Sequence, residues 1–389
     1  MKICLLTPRF PFPENGGDVL RINNIARYLK SQSHQLVLVS FYDNEIEIND
    51  ECKRLYDTIY TAPRSNIVSA INSLRFLMSG KPIQCGYYYS AQLLRIFKKV
   101  VETEKCDLYI SHLLRMTPYL EKLNLQDKSI VEMTDALSIT YQRSSEIKGI
   151  SLKKIIYKFE QEFIFRYEQK IVYTFKKVVL VSRNDIQYLS KKIKNNTSLS
   201  FHTNGVDCIN THLLSYQKNK ICFVGNMRTI QNQDAVKFFV TSILPLIMES
   251  VPDVRFYIIG AEPPTSIRNL ADGKNIFVTG FVESLVEFIQ DSCVAVAPIR
   301  IAAGIQNKVL ISMASGVPIV LSELISKAIP ELTNGTNCFI ANDAMAFADA
   351  CIRLITNSEL RNQISTAGYN LVLNNYSWQA CLANYEQMR

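Results

Sequence analysis

Three loops carry the residue types that chemistry would need. The longest runs AAGIQNKVLISMASGVPIV, Ala302–Val320, after an apolar run that ends in Pro298. A helix is expected over Ile305–Ser315, with Gly316 just past its C-terminus. Gly304 lets the first-turn amides face outward, and the unpaired N–H groups of a helix start attract an anion. Lys308 lies in that first turn, where the helix dipole disfavours a cation, so its placement suits a phosphate partner. The alternative is a surface lysine on an amphipathic helix. The second loop is FVGNMRTIQNQDAV, Phe223–Val236. Gly225 permits a tight turn, and Arg228 is placed to meet an anion at a strand's carboxyl end, or simply to face solvent. Asn232 and Asp234 are expected to cap the helix that follows. The third loop, PRFPFPENGGDVLR, Pro8–Arg21, stays out of helix through Pro13. Gly16 and Gly17 then allow close backbone approach to a ligand, and Asn15 or Asp18 can cap the next helix. An ordinary strand-to-helix turn is the plainer account of this loop. His112, at the end of the run Asp107–Ser111, is the histidine best placed to touch a substrate, whereas His34 and His202 suit packing roles. No Ser/His/Asp or Cys/His order and no metal-ligand spacing stands out.

These loops need elements to hold them. Short apolar runs at Ile3–Leu6, Leu36–Ser40, Asp107–Ser111, Ser129–Met133 and Lys177–Val181 alternate with longer amphipathic segments. A second set follows at Lys220–Val224, Arg255–Gly260, Ile276–Thr279, Cys293–Pro298, Pro318–Leu321 and Cys338–Ala341. That alternation predicts α/β architecture, with two parallel sheets each covered on both faces. The boundary is expected near Phe201–Tyr216, where Asn204-Gly205 forms a turn dipeptide. Open parallel sheets bind ligands at the carboxyl ends of their strands, so two such units are expected to share a cleft.

Size and composition agree. A chain of 389 residues, 48% hydrophobic and 20% charged, supports two globular cores. No apolar run reaches the roughly 18 residues that span a bilayer. MKICLLTPRF is too short in its apolar part for a signal peptide and suits a buried first strand, so a cytoplasmic location is expected. Ten cysteines without a C-x-x-C spacing suit reduced core thiols. Residues 1–200 hold 30 Lys+Arg against 20 Asp+Glu, and residues 201–389 hold 13 against 15. The basic half, densest in Ser151–Lys177, suits anionic lipid headgroups or a polyanionic substrate, or is only a solvated helix face. Nucleic acid is disfavoured, because zinc-finger spacing, RNP-like aromatics and a basic tail are all missing.

Taken in order, NGGDVLR, SQSHQLVLVS, TNGVD, VGNMRTIQNQDAV, VTGFVESLVEFI, GIQNKVLISMASGVPIV and YSW resemble the motifs of the GT-B retaining glycosyltransferases of glycosyltransferase family 4. The likeness covers nearly the whole chain. It implies two Rossmann-like domains facing across a cleft. Residues 1–205 would take the acceptor, with a C-terminal helix over 373–389 packing back on them, and residues 206–372 would take a nucleotide sugar of UDP or GDP type. By the same resemblance, Arg228 and Lys308 neutralise the diphosphate, helped by amides of Gly304, Ile305, Gln306 and Asn307. Gly225 and Asn226 form the donor-side loop, and Phe281 and Val282 flank the base. Gly16, Gly17 and His112 line the sugar and acceptor side, and Asp135, in EMTDALS, is the acceptor-contact candidate. The family needs no metal or other cofactor. The acceptor it implies is a glycan or a polyprenyl-diphosphate-linked glycan, met by a protein peripheral to the inner face of the cell membrane.

Two departures stand out. Where the family commonly has two glutamates eight positions apart, the second holding the ribose hydroxyls, this chain has Ala303 and Ile311. The family's lysine-glycine pair after the arginine is also absent, with Asn232-Gln233 nearby. The diphosphate grip is therefore expected to be intact and the ribose grip weakened. A GT-B-like protein that binds a partner or a phosphorylated glycan without efficient transfer is the alternative. A same-fold epimerase lacks a visible carboxylate pair, and a dehydrogenase lacks G-x-G-x-x-G.

Overall fold

The computed structural model describes the chain except residues 15, 43–47, 147–151, 195, 209–215, 302–305 and 388–389; residues 143–146, 152–158 and 218 are described by their backbone alone. The chain divides into two compact units, Met1–Asn204 with Cys381–Arg389, and Gly205–Ala380.

Among the described residues the first unit holds seven strands: β1 (Lys2–Thr7), β2 (Gln35–Tyr42), β3 (Thr58–Pro63), β4 (Leu108–His112), β5 (Ser129–Thr134), β6 (Lys177–Leu180) and β7 (Leu199–Phe201). They pair in the order β3-β2-β1-β4-β5-β6-β7, and every pairing is parallel. Ile3 of the central β1 sits opposite Leu36 on one side and Leu108 on the other, and all three are buried. A strand covered on both faces has no solvent side, which is why β1 reads as one apolar run rather than an alternation. The sequence pattern misses β3 and β7. Both lie at the sheet's edges, where mostly half-buried residues need no continuous apolar run.

The second unit repeats the plan with β8 (Gln217–Val224), β9 (Arg255–Ile259), β10 (Ile276–Gly280), β11 (Ser292–Ala297), β12 (Ile319–Leu321) and β13 (Phe339–Ile340). Their order is β10-β9-β8-β11-β12-β13, again parallel throughout. Both sheets therefore reverse their winding beside the first strand, between β1 and β4 and between β8 and β11. That reversal leaves a crevice at the carboxyl ends of those strands. The ten cysteines are all free and eight of them are buried, each as a small apolar side chain.

The C-terminal segment differs from the single helix expected over 373–389. The helix Ser358–Asn375 ends at Tyr376, whose carbonyl accepts from the Val206 amide, and a four-residue helix, Trp378–Cys381, follows. The chain rejoins the first unit at Cys381. Lys177 Nζ there donates to the carbonyls of Tyr385 at 2.7 Å, Gln387 at 3.1 Å and Asn384 at 3.3 Å. Tyr385 in turn donates to Glu132 Oε2 at 2.9 Å. Glu132 also receives both Arg21 Nε and Nη2 at 2.9 Å, in a pair fully shut off from water. Arg21 spends two further donors on Asn204 Oδ1 and the His202 carbonyl, each at 2.9 Å. His202 meets the Cys381 carbonyl at 3.0 Å. One buried cation thus ties the first helix, β5 and both chain crossings to the first unit's core.

Candidate functional site

In the first unit, β1 leads through the proline-rich loop to the helix Gly17–Ser31. Gly16 is its N-cap at φ 114°, a backbone state that L side chains rarely adopt. A Cβ there would also lie 2.8 Å from Arg9 Nη2, whereas one on Gly17 would meet nothing within 4 Å. The expected cap by Asp18 is not made. Asp18 lies inside the first turn and is gripped by Arg9 through two hydrogen bonds, one of them Nε to Oδ2 at 3.0 Å. Burial works against ionisation of Asp18, but the guanidinium outweighs it and holds its pKa below the usual value. Asn15, the other candidate cap, lies outside the described residues.

His112 closes β4, beside β1 at the winding reversal. It is 2% exposed, and neither ring nitrogen has a hydrogen-bond partner among the described residues. Burial, with Arg21 and Arg115 nearby and Asp18 opposing them, pushes its pKa down to about 3, so it is a neutral imidazole at pH 7. Asp135 follows β5 and Thr134, a non-glycine residue at φ 66°. The carboxyl is exposed, yet the protein walls around it and the neighbouring Asp185 raise its pKa.

In the second unit, β8 ends in Gly225-Asn226-Met227-Arg228. Gly260, after β9, stands against that turn so closely that a Cβ on it would lie 1.8 Å from the Gly225 carbonyl oxygen. A Cβ on Gly225 would in turn strike the Asn232 side chain at 2.6 Å. Gly260 therefore lets two strand ends touch, and Gly225 leaves room for the Asn232 side chain. Asn226 Oδ1 accepts the Arg228 amide at 2.9 Å, closing the turn. Arg228 reaches outward and is ion-paired with Glu262, itself at φ 54° in the loop after β9.

The caps expected from Asn232 and Asp234 are corrected. The helix Ile230–Phe238 starts from Thr229 without a side-chain cap. Asn232 turns inward, donates to the Asn226 carbonyl at 2.9 Å and accepts from Lys308 Nζ. Asp234 holds Arg300 in a fork, Nε at 3.0 Å and Nη2 at 2.5 Å, while the guanidinium lies 4.5 Å above Phe238.

Lys308 belongs to the helix Asn307–Ala314, whose N-cap Gln306 makes no side-chain cap bond. Gly316 follows at φ 70° and its amide bonds the Met313 carbonyl at 3.0 Å, as expected of a terminating glycine. Lys308 is not a surface lysine. It is 8% exposed, its ammonium lies 4.5 Å above the Phe223 ring, and burial lowers its pKa to about 8. Ile311, one turn on, packs half-buried against the core. Phe281 and Val282 follow β10 and Gly280, which has φ 72°. Phe281 is 77% exposed, whereas Val282 packs against the core. Ala303, Gly304 and Ile305 lie outside the described residues.

The second unit thus brings Gly225, Asn226, Arg228 and Lys308 to one end of one sheet, joined by a chain of hydrogen bonds through Asn232. Three participants were missed from sequence. Glu262 and Arg300 are single charged residues in loops, and Asn232 was read as a cap. For Glu262 and Arg300 the signal is a position just after a strand end, whereas Asn232 lies within the helix Ile230–Phe238. Beside Arg300, Phe238, Ser322, Glu323 and Asn342 line a cavity of about 270 Å³ at the ends of β11, β12 and β13.

Two Rossmann-like sheets of this kind are the GT-B fold, and solved GT-B structures superpose on nearly the whole chain. HepE from Anabaena, in complex with UDP, matches with a TM-score of 0.61 at 11% identity, covering 98% of this chain and 97% of that one. A TarM variant from S. aureus, in complex with fondaparinux, alpha-GlcNAc-glycerol and UDP, matches with a TM-score of 0.58 at 10% identity, covering 99% and 98%. Residues 218–357, within the second unit, match the family described as glycosyl transferases group 1. A curated relative, an uncharacterized 44.6 kDa protein in the cps region of Klebsiella pneumoniae, is 23% identical over 391 residues, covering 96% of each chain.

Proposed function

We propose that this chain transfers a sugar, with retention of configuration and without a metal, from a UDP- or GDP-type donor to a glycan or a polyprenyl-diphosphate-linked glycan, in assembly of a bacterial surface polysaccharide. The observation that carries this reading is the buried ammonium of Lys308, held by Asn232 beside the Gly225–Arg228 turn. A lysine kept dry at a strand's carboxyl end has no structural need of its charge, and a diphosphate would supply the missing counter-charge. The match to group 1 glycosyltransferases, the neighbour solved with UDP and the relative encoded in a cps region all favour the same reading.

The chemistry follows from where charge develops. Breaking a glycosyl–phosphate bond leaves negative charge on the diphosphate, and cations already in place stabilise it without reorganisation. Lys308 would serve there from within the fold, and Arg228 from its rim once phosphate displaces Glu262. The neutral His112 can donate or accept one hydrogen bond to a sugar hydroxyl but carries no charge to the reaction. Asp135 would contact the acceptor.

Ile311 favours a second reading, a GT-B-like protein that binds its ligand but transfers poorly, since isoleucine offers the ribose no hydrogen bond. Calorimetry with UDP, GDP, ADP and CDP in turn, without metal, separates the two when paired with a transfer assay in chelator. Selective micromolar binding with transfer supports the enzyme; binding without transfer supports the second reading. If no nucleotide binds and Lys308→Ala changes nothing, the transferase reading fails and a GT-B-like protein that binds a partner or a phosphorylated glycan replaces it.

A further inference from the structure

The helix Asn66–Met78 in the first unit packs inward through Phe76, half-buried against Tyr89, but turns most of its apolar side chains outward. Its buried positions are polar: Ser69 is 3% exposed and Asn72 8%. Its open face carries Ile67, Ile71, Leu74 and Met78, exposed by 74%, 49%, 59% and 80%. Those four recur at the helical spacing of one stripe, opposite Ser69 and Asn72. The orientation is locked. Asn72 Nδ2 donates to the Tyr89 carbonyl at 2.9 Å, and Gly86 stands so near that a Cβ on it would lie 2.4 Å from the Asn72 carbonyl oxygen. The stripe therefore cannot roll inward.

The surroundings say what covers it. From residue 58 to residue 101 the sequence has no Asp or Glu, while it has Arg64, Arg75, Lys81, Arg95, Lys98 and Lys99. Tyr87 and Tyr88, half-buried beside the helix, stack under Arg64 at 4.8 and 5.5 Å. An apolar stripe on a helix that carries Arg75, follows Arg64 and leads to Lys81 over Phe76, with adjacent amphipathic rings, matches the polar–apolar boundary of an anionic bilayer. No helix among the described residues is long and apolar enough to cross one. Along the segment that carries the stripe, every charged side chain from residue 58 to residue 101 is a cation, which suits an anionic surface.

We propose that the helix Asn66–Met78 is a docking surface for anionic lipid, lying flat with Ile67, Ile71, Leu74 and Met78 in the acyl boundary and the flanking cations at the headgroups. The proposal deepens the lipid-linked-acceptor reading by naming the surface that would meet the membrane. Its test uses neither donor nor acceptor, so it stands or falls apart from transfer.

The full chain is floated with vesicles of phosphatidylglycerol and phosphatidylcholine, and with phosphatidylcholine alone. The wild type should bind the anionic vesicles, at least about tenfold more weakly in 0.5 M NaCl or on the neutral ones. Ile71→Glu should lower anionic-vesicle binding by at least about tenfold. Met345→Glu, which puts the same charge on a residue 76% exposed in the second unit, should leave it unchanged. Circular dichroism checks folding, and Ile67→Ser with Met78→Ser replaces Ile71→Glu if that variant is unfolded. No binding to anionic vesicles, or wild-type binding by the stripe variants, overturns the proposal. So does sedimentation in which the stripe variants dissolve a dimer without changing vesicle binding, which would assign the stripe to a second copy of the chain.

Discussion

Replacing Lys308 by methionine should stabilise the protein and at the same time impair it. In the folded chain the lysine's pKa is lowered from 10.5 to about 8 by burial. At about 1.36 kcal/mol per unit, holding the ammonium in place at pH 7 costs about 3 kcal/mol. Methionine fills a similar volume without that penalty. It strands the Asn232 carbonyl oxygen, at roughly 1–2 kcal/mol. The net expectation is a gain of about 1–2 kcal/mol in the ligand-free protein, seen as a higher thermal midpoint at pH 7. The sign with pH is distinctive. Below pH 8 both folded and unfolded lysine are protonated and the penalty is complete. Between pH 8 and 10.5 the folded lysine loses its proton while the unfolded one keeps it, so wild-type stability rises with pH. The gap between variant and wild type should therefore close across that window. Binding should move the other way. Loss of a charged hydrogen bond to diphosphate is worth about 1.5–3 kcal/mol, or roughly 10- to 150-fold in affinity by calorimetry. A variant less stable than wild type at pH 7, by an amount that does not change up to pH 10, would refute the idea that Lys308 is a strained charge awaiting an anion.

Other outcomes follow from the same geometry. Glu262→Gln frees Arg228 from its carboxylate; the pair is exposed, so nucleotide affinity measured by calorimetry should rise only about two- to fivefold. Gly260→Ala should be strongly destabilising in a urea melt, because its Cβ would lie 1.8 Å from the Gly225 oxygen, while Gly17→Ala should leave stability within about 1 kcal/mol of wild type. Glu132→Gln strips the buried Arg21 of its counter-charge and should lower unfolding free energy by about 3–5 kcal/mol in the same assay.

The architecture was legible because it is written locally. The runs at Ile3–Leu6 or Cys293–Pro298 are apolar without alternation, which only a strand covered on both faces requires, and turn residues such as Asn204-Gly205 and Gly316 punctuate them where the chain changes element. The edge strands β3 and β7 escaped because an edge asks less of its residues. Loop positions were legible too: Gly16, Gly225 and Lys308 drew notice as glycines or a cation at strand and helix ends.

What the loops do with their side chains was decided elsewhere in the chain. Asn232 has the type and position of a helix cap, yet it faces inward because Gly225 leaves room for it and Lys308, 76 residues on, supplies a donor. Asp18 could cap a helix, but Arg9 claims it. Nothing beside Arg228 in sequence announces Glu262, which arrives in the loop after β9, the next strand of the sheet. The helix Asn66–Met78 makes the same point most sharply. Its periodicity fixes that it has an apolar face and a polar face, and ordinary burial would turn the apolar one inward. The close approach of Gly86, the bond from Asn72 to Tyr89 and the packing of Phe76 on Tyr89 turn it out. Periodicity is a property of neighbours along the chain, so the sequence alone determines which elements form. Which side chain pairs with which, and which face meets water, depends on contacts between residues far apart in sequence, and those exist only once the sheets are assembled.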